Sequence, residues 1–236
     1  MKRIVLSLML AMIALRAEEI YATFNVEAKR HADLAFTTTG IVGKVYVDIA
    51  SAVKKDAVLA SLENSDAKAS LEIAKTALKY AKRDYERQLK VKKLVDEAKF
   101  DQYAYKYEHA KAQVALQQAL YDKTVLKAPF DGVIYEKKVE AGDAVSGAMI
   151  RTIFKIQSIK ARKLVLDIDQ KYWKKVKLGL YFRYHVDGDA KAYTGTIARV
   201  YPYADSDNRK LHAEVEVEGF TPGLFGTGYI IIPESK

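Results

Sequence analysis

The chain has no cysteine, one tryptophan, and only four prolines and 12 glycines in 236 residues. Without cysteine there is no disulfide, no thiolate metal site and no lipid-modified N-terminal Cys, so stability has to come from packing. So little Pro and Gly excludes a collagen-like or mainly disordered chain, and 50% hydrophobic content is enough for a core in one to three modest domains. Gly-rich phosphate loops and a G-x-S-x-G elbow are both missing. His31, His109, His185 and His212 stand apart, without the spacing that a metal or a general base needs. Asp167 and Asp169 alternate with apolar residues on one strand and are expected to face solvent. An enzyme, a metal centre and a cofactor are therefore not expected.

Long apolar runs are also scarce. The longest, Ile4 to Leu15, follows Lys2 and Arg3 and ends near Ala17, the layout of a secretory signal peptide over residues 1–17. It is short for a membrane span, and an uncleaved anchor is the alternative. The formal charge of +9 falls to +6 once Lys2, Arg3 and Arg16 are set aside with the leader. The remaining lysines are scattered rather than gathered in one stripe, and export argues against a nucleic-acid partner. A basic surface does allow peripheral association with anionic headgroups or acidic partners.

What the sequence does contain begins with APFDGVIYEKKVEAGDAV, Ala128 to Val145. Two strand-like runs, GVIYEKKV and AVSGAMIRTIF, flank the turn Glu140-Ala141-Gly142-Asp143 and read as a hairpin that cannot bury its apolar face alone. Its equivalent lies upstream. A constant offset of 92 residues relates Gly132 to Gly40, Val139 to Val47, Gly142 to Ala50 and Val145 to Val53. Two copies related by pseudo-symmetry pack face to face as a small flattened barrel, residues 36–64 with 123–157. Ala50 and Asp56 occupy turn positions where Gly is preferred.

Between the halves, Ser65 to Lys123 contains neither Gly nor Pro. Ser65 or Asp66 is placed to cap a helix. Ala67, Leu71, Ala74, Leu78, Ala81 and Tyr85 then form one apolar seam, and Phe100, Tyr103, Tyr107, Ala110, Val114, Gln117 and Tyr121 a second. Both have the 3.5-residue period of a coiled coil. The period fails in KVKKLVDEAKFD, where Asp96 can cap a second helix. An antiparallel coiled-coil hairpin over residues 65–122 follows. Tyr80 and Tyr105 lie off the seams.

Downstream, LVLDID, LYFRYHV, AYTGTIARV and LHAEVEVE alternate as strands, with a turn at Asp187-Gly188, a helical patch at Lys171 to Val176 and a loop from Gly219 to Gly228. Residues 158–236 read as a compact β-barrel, to which an N-terminal strand within residues 18–35 is added. The fold class is mainly β with an inserted α-helical coiled-coil hairpin.

In order, TGIVGKVYV, VKKDAVLASLENSD, the hairpin, TVLKAPFDGVIYEKKVEAGDAV and TPGLFGTGYIII resemble the periplasmic adaptor, or membrane fusion protein, family (HlyD-like). The likeness implies a split lipoyl-like (barrel-sandwich hybrid) domain carrying the hairpin, then a β-barrel domain. It implies an adaptor of a tripartite efflux pump in the periplasm of a Gram-negative bacterium. Such an adaptor joins an inner-membrane pump of the resistance-nodulation-division type to a TolC-type outer-membrane channel through a homo-oligomeric, hexameric ring. An adaptor for an ATP-driven transporter or secretion system is the alternative within the family, and a structural envelope coiled coil the alternative outside it. The membrane-proximal domain of larger members is expected to be absent or vestigial. The family's tip pattern of Arg, Leu and Ser, aligned on Lys99-Phe100-Asp101, falls on Tyr85, Leu89 and Asp96, so only Leu89 matches; Arg83 and Arg87 flank the first position. Leu94 and Val95 either touch the channel or pack together to close the turn. The implied channel contact is thus Tyr85, Arg87, Leu89, Leu94, Val95 and Asp96. The lysine that a true lipoyl carrier would modify has no equivalent, because the hairpin stands in its place.

Overall fold

Alternating burial, not helical propensity, organises most of this protein. The computed structural model describes residues 18–91 and 96–233 and divides into two compact units. One is built from both ends of the chain, up to Lys29 and from Lys160 onward; the other is Arg30–Ile159. In chain order the elements are β1 (Glu18–Ala28), β2 (His31–Leu34), β3 (Gly40–Val45), β4 (Ala52–Val53), β5 (Val58–Leu62), α1 (Ser65–Lys90), α2 (Glu97–Asp122), β6 (Val125–Lys127) and β7 (Gly132–Lys137). They continue with β8 (Ala144–Val145), β9 (Phe154–Gln157), β10 (Ala161–Asp169), a 3-10 turn at Gln170–Tyr172, β11 (Tyr181–Val186), β12 (Tyr193–Asp205), β13 (Lys210–Glu218) and β14 (Phe225–Ile232).

The second unit contains two four-stranded sheets, ordered β2-β9-β7-β4 and β6-β5-β3-β8. The 92-residue offset carries β3 onto β7 and β4 onto β8 residue for residue. The expected hairpin is corrected, however. β7 and β8 lie in different sheets, since β8 pairs with β3 (Gly40 opposite Val145) and β4 pairs with β7 (Val53 opposite Gly132). Each half completes the other's sheet. The turns show why: Gly142 N–H donates to the Val42 carbonyl and Val42 N–H to that of Asp143, both at 2.8 Å. Their images, Ala50 N–H to Ile134 O at 2.8 Å and Ile134 N–H to Ser51 O at 3.0 Å, are the same bonds shifted by the offset. The enclosed core includes Val42, Leu59, Ile134, Phe154 and Ile156.

The first unit is a closed barrel, β1-β10-β13-β12-β11-β14. As expected, IYATFNVEA supplies a strand: β1 pairs with both β10 and β14. The expected 18–35 segment is divided, because β2 pairs with β9 of the other unit and the boundary falls after Lys29. Phe24 meets Phe182 (5.8 Å, 85°) and Tyr184 (5.4 Å, 84°) edge to face inside the barrel. The loop expected over Gly219 to Gly228 is shorter, because β14 begins at Phe225. Gly226 and Gly228 point inward as strand residues; a Cβ on them would lie 2.4 Å and 2.7 Å from the ring tips of Phe24 and Phe182. These glycines make room for two large rings.

On the outer face Glu214 is buried, although strand alternation places it with the solvent-facing glutamates. Lys163 Nζ (2.7 Å), Arg199 and the Tyr201 hydroxyl (2.8 Å) all donate to its carboxylate. Burial raises the Glu214 pKa, but these donors outweigh it and hold the pKa below the ordinary value.

Two stability predictions follow from this geometry. Ala50 has φ 68° and Gly142, its image, φ 98°. Ala50→Gly is expected to stabilise by about 1 kcal/mol in denaturant unfolding, and Gly142→Ala to destabilise by a similar amount. No gain from Ala50→Gly would show that the turn relaxes without strain. For Glu214, a folded pKa below the unfolded one gives stability that is present above the unfolded value and lost as pH falls through the folded one. Melting temperatures should therefore fall less steeply with acid for Glu214→Gln than for the wild type; parallel acid limbs would contradict this.

Candidate functional site

The hairpin of α1 and α2 is the feature that the β-framework serves. β5 and β6 are antiparallel neighbours, with Ser61 opposite Val125 and Val58 opposite Lys127, so the helices leave the sheet side by side. Their root is clamped at Thr124. The Leu62 N–H donates to its carbonyl (2.8 Å), the Asn64 side-chain amide to its hydroxyl (3.0 Å), and that hydroxyl to the Tyr121 carbonyl (2.7 Å). Asn64, rather than the expected Ser65 or Asp66, is the N-cap residue of α1; its carbonyl accepts from the Lys68 N–H. Its side chain is committed to the second strand's exit instead of to the helix. Asp96 stands at the expected N-cap position of α2, but its side chain makes no capping bond; its carbonyl accepts from Phe100 N–H at 3.1 Å.

Each helix has 26 residues, about 39 Å at 1.5 Å per residue. Burial follows the seams. Leu71, Ala74 and Phe100 are buried, and Ala67, Leu78, Ala81, Tyr85, Tyr103, Tyr107, Ala110, Val114, Gln117 and Tyr121 are half-buried. Small residues alternate with large ones, which lets the helices approach closely near the root. Toward the far end the seam turns aromatic: Tyr85 stacks on Tyr107 (5.2 Å, 10°) and tilts against Phe100 (5.6 Å, 43°). Local ion pairs lie outside the seam, Glu72 with Lys75, Asp84 with Arg87 and Glu108 with Lys111. Exposed pairs of this kind add little to stability.

The six tip candidates divide accordingly. Tyr85 belongs to the aromatic seam and is held by Phe100 and Tyr107. Arg87 lies on the surface, two-thirds exposed and paired with Asp84. Leu89 is 48% exposed in the last turn of α1, and Asp96 is exposed at the start of α2. Leu94 and Val95 lie outside the described residues. The structure adds exposed apolar groups that the seam periodicity passed over: Val91 beside Leu89, and Ile73, Leu116 and Leu120 along the flanks. Ile73 lies seven residues before the exposed Tyr80, and this repeat off the seam was the available signal. Tyr105 is 70% exposed, with His109 beside it.

Among the described residues no group of three or more His, Cys, Asp or Glu side chains is placed to hold a metal ion. The hairpin offers shape, apolar side chains and charge.

Comparison with known proteins adds three findings. The family model of the CzcB-like barrel-sandwich hybrid domain matches residues 30–157, more than half of the chain. The cobalt-zinc-cadmium resistance protein CzcB of Cupriavidus metallidurans is 29% identical over 211 residues, covering 80% of this chain and 40% of its own length. The chain thus spans about two fifths of the length of that relative. Among solved structures, a MacA–MexA chimera containing the Pseudomonas aeruginosa MexA α-hairpin domain superposes with a TM-score of 0.82 at 22% identity, over 93% of this chain and 81% of the chimera. MacA from Actinobacillus actinomycetemcomitans superposes with a TM-score of 0.63 at 20% identity, over 92% and 79%.

The division of the tip residues is testable by stability. Tyr85→Ala removes two ring contacts and is expected to cost the hairpin about 2 kcal/mol. Arg87→Ala is expected to cost less than about 1 kcal/mol. Thermal melts followed at the helical circular dichroism band distinguish them; equal melting temperatures would place Tyr85 on the surface with Arg87.

Proposed function

We infer function from the premise that this chain belongs to the CzcB-like barrel-sandwich hybrid family of membrane fusion (periplasmic adaptor) proteins. The protein is proposed to be the periplasmic adaptor of a tripartite efflux pump in a Gram-negative bacterium. It bridges an inner-membrane transporter of the resistance-nodulation-division type and a TolC-type outer-membrane channel. The observation that supports this most is the pair of 26-residue helices packed between the two halves of the split module. A rigid pair of helices with an aromatic seam near its end and exposed Leu89, Arg87 and Asp96 close to the turn suits a mechanical link rather than a catalyst.

Assembly as a ring, proposed as a homo-hexamer, is supported by the hairpin's flanks. A rod one hairpin thick leaves Ile73, Tyr80, Tyr105, Leu116 and Leu120 exposed, and lateral packing of copies would cover them. A ring also multiplies weak tip contacts into a stable junction. Tyr85 keeps a part in this proposal as the support of the tip, and Leu94 and Val95 as members of the contact. The name of the curated relative makes cobalt, zinc and cadmium the first cargo to test.

Cross-linking in intact cells followed by co-purification and mass spectrometry is expected to recover one inner-membrane transporter and one outer-membrane channel. Leu89→Glu and Asp96→Lys should each weaken channel recovery while the helical dichroism stays intact. Undiminished recovery would remove both residues from the contact. If neither partner is recovered and deletion leaves metal and detergent tolerance unchanged, the protein is a structural envelope component.

A further inference from the structure

We propose that one end of the six-stranded barrel is a binding surface for anionic phospholipid, with Trp173 and Leu178 entering the headgroup region and Lys174 and Lys177 facing lipid phosphates. The proposal does not rest on the adaptor role, because it concerns the barrel unit alone.

The β10–β11 connection, residues 170–180, closes the barrel end at which the described chain enters and leaves. Ala22 near the start of β1 pairs with Ile168 near the end of β10, Glu18 pairs with Ile232, and Tyr181 at the start of β11 pairs with Ile231. Within the connection, Tyr172, Val176 and Leu180 recur every fourth residue and pack on the barrel core, with Val176 only 5% exposed. They plug the end. Trp173 and Leu178 are 65% and 66% exposed, and Tyr181, the outward-facing first residue of β11, is 62% exposed. Trp173 and Leu178, which the plug does not need, are held in water, which disfavours them unless another phase covers them.

The charges around them select that phase. Lys175 is committed to both carboxylate oxygens of Glu18 (2.6 and 2.7 Å), and Lys171 lies 3.4 Å from Asp169. Lys174 and Lys177 form no ion pair among the described residues, and the Lys174 ammonium lies over the Trp173 ring, 5.2 Å from a ring centroid. Arg209 and Lys210 add positive charge at the adjoining β12–β13 turn, with Asp205 and Asp207 opposing them. An exposed Trp and Leu interleaved with uncommitted lysines matches the interface of an anionic bilayer, where the indole sits at headgroup depth and lysine stems extend outward. No described helix is long and apolar enough to cross a bilayer.

Trp173 is the chain's only tryptophan, so its emission reports this loop directly. Purified protein is titrated with vesicles of phosphatidylglycerol and phosphatidylcholine in equal parts, and with phosphatidylcholine alone. A blue shift and co-sedimentation are expected with the first and not the second, and both should fade with added salt. The double variant Lys174→Gln, Lys177→Gln should weaken binding on the order of tenfold or more. Leu178→Gln should reduce the blue shift, with circular dichroism unchanged in each case. All variants carry the same N-terminal segment, so a difference between them belongs to the loop. Emission indifferent to phosphatidylglycerol, or variants that bind as well as the wild type, would overturn the proposal. Loss of a co-purifying transporter in Trp173→Ala without any vesicle response would instead make this face a protein interface. Failure with vesicles leaves the partner-recovery experiment untouched, and the reverse also holds.

Discussion

The exchange of short strands between the two halves of the split module is the constraint on which the rest depends. Gly142 and Asp143 bond to Val42 of the first half, and Ala50 and Ser51 bond to Ile134 of the second, so neither sheet is complete without the other half. A two-residue strand has almost no stability of its own. Taken into the opposite sheet it has backbone partners and an apolar layer to pack on. The consequence concerns the insert. The halves are held by each other rather than by the chain that links them, so a long helical excursion between β5 and β6 does not loosen the module. Loop-closure entropy rises only slowly with length, and most of the excursion is ordered by its own seam.

The excursion in turn needs a fixed root. β5–β6 pairing sets the spacing of the two exits, and the Asn64–Thr124–Tyr121 hydrogen bonds tie the first turn of α1 to the last turn of α2. Beyond the root, interhelical packing carries the hairpin, since its surface ion pairs are exposed and local in sequence. This accounts for the gradient along the seam. On α1 the seam is alanine and leucine where the sheet restrains the helices, and the stacked Tyr85–Tyr107–Phe100 cluster lies far from that restraint.

The hairpin was legible in the sequence because both of its signals are local: a stretch free of Gly and Pro, and seams that keep their period. The 92-residue repeat was legible too, along with the strain at Ala50 and Asp56, both of which have positive φ. Which strand pairs with which was not legible, because an offset shows that two segments are equivalent without showing that they exchange. The glycines of β14 read as a loop for a similar reason. Gly226 and Gly228 look like turn residues until Phe24 and Phe182, distant in sequence, are seen to fill the space above them. Glu214 follows the same rule: alternation placed it on the outer face correctly, but its burial depends on Lys163 and Tyr201 from two other strands. The tip residues were located along the helix by alignment, and only packing separates Tyr85, which is held inside, from Arg87 and Leu89, which are not.

The barrel poses the opposite problem, a surface whose sequence pattern is plain and whose purpose the fold leaves open. A closed barrel has no free edge, so the short segment at its mouth is not needed to prevent strand addition. Its one structural duty is to cover the core, which Tyr172, Val176 and Leu180 perform. The outward side chains are then free to vary without cost to folding, and an unconstrained surface position is usually polar. A tryptophan and a leucine occupying such positions beside lysines that no described carboxylate pairs with therefore point to something outside the fold.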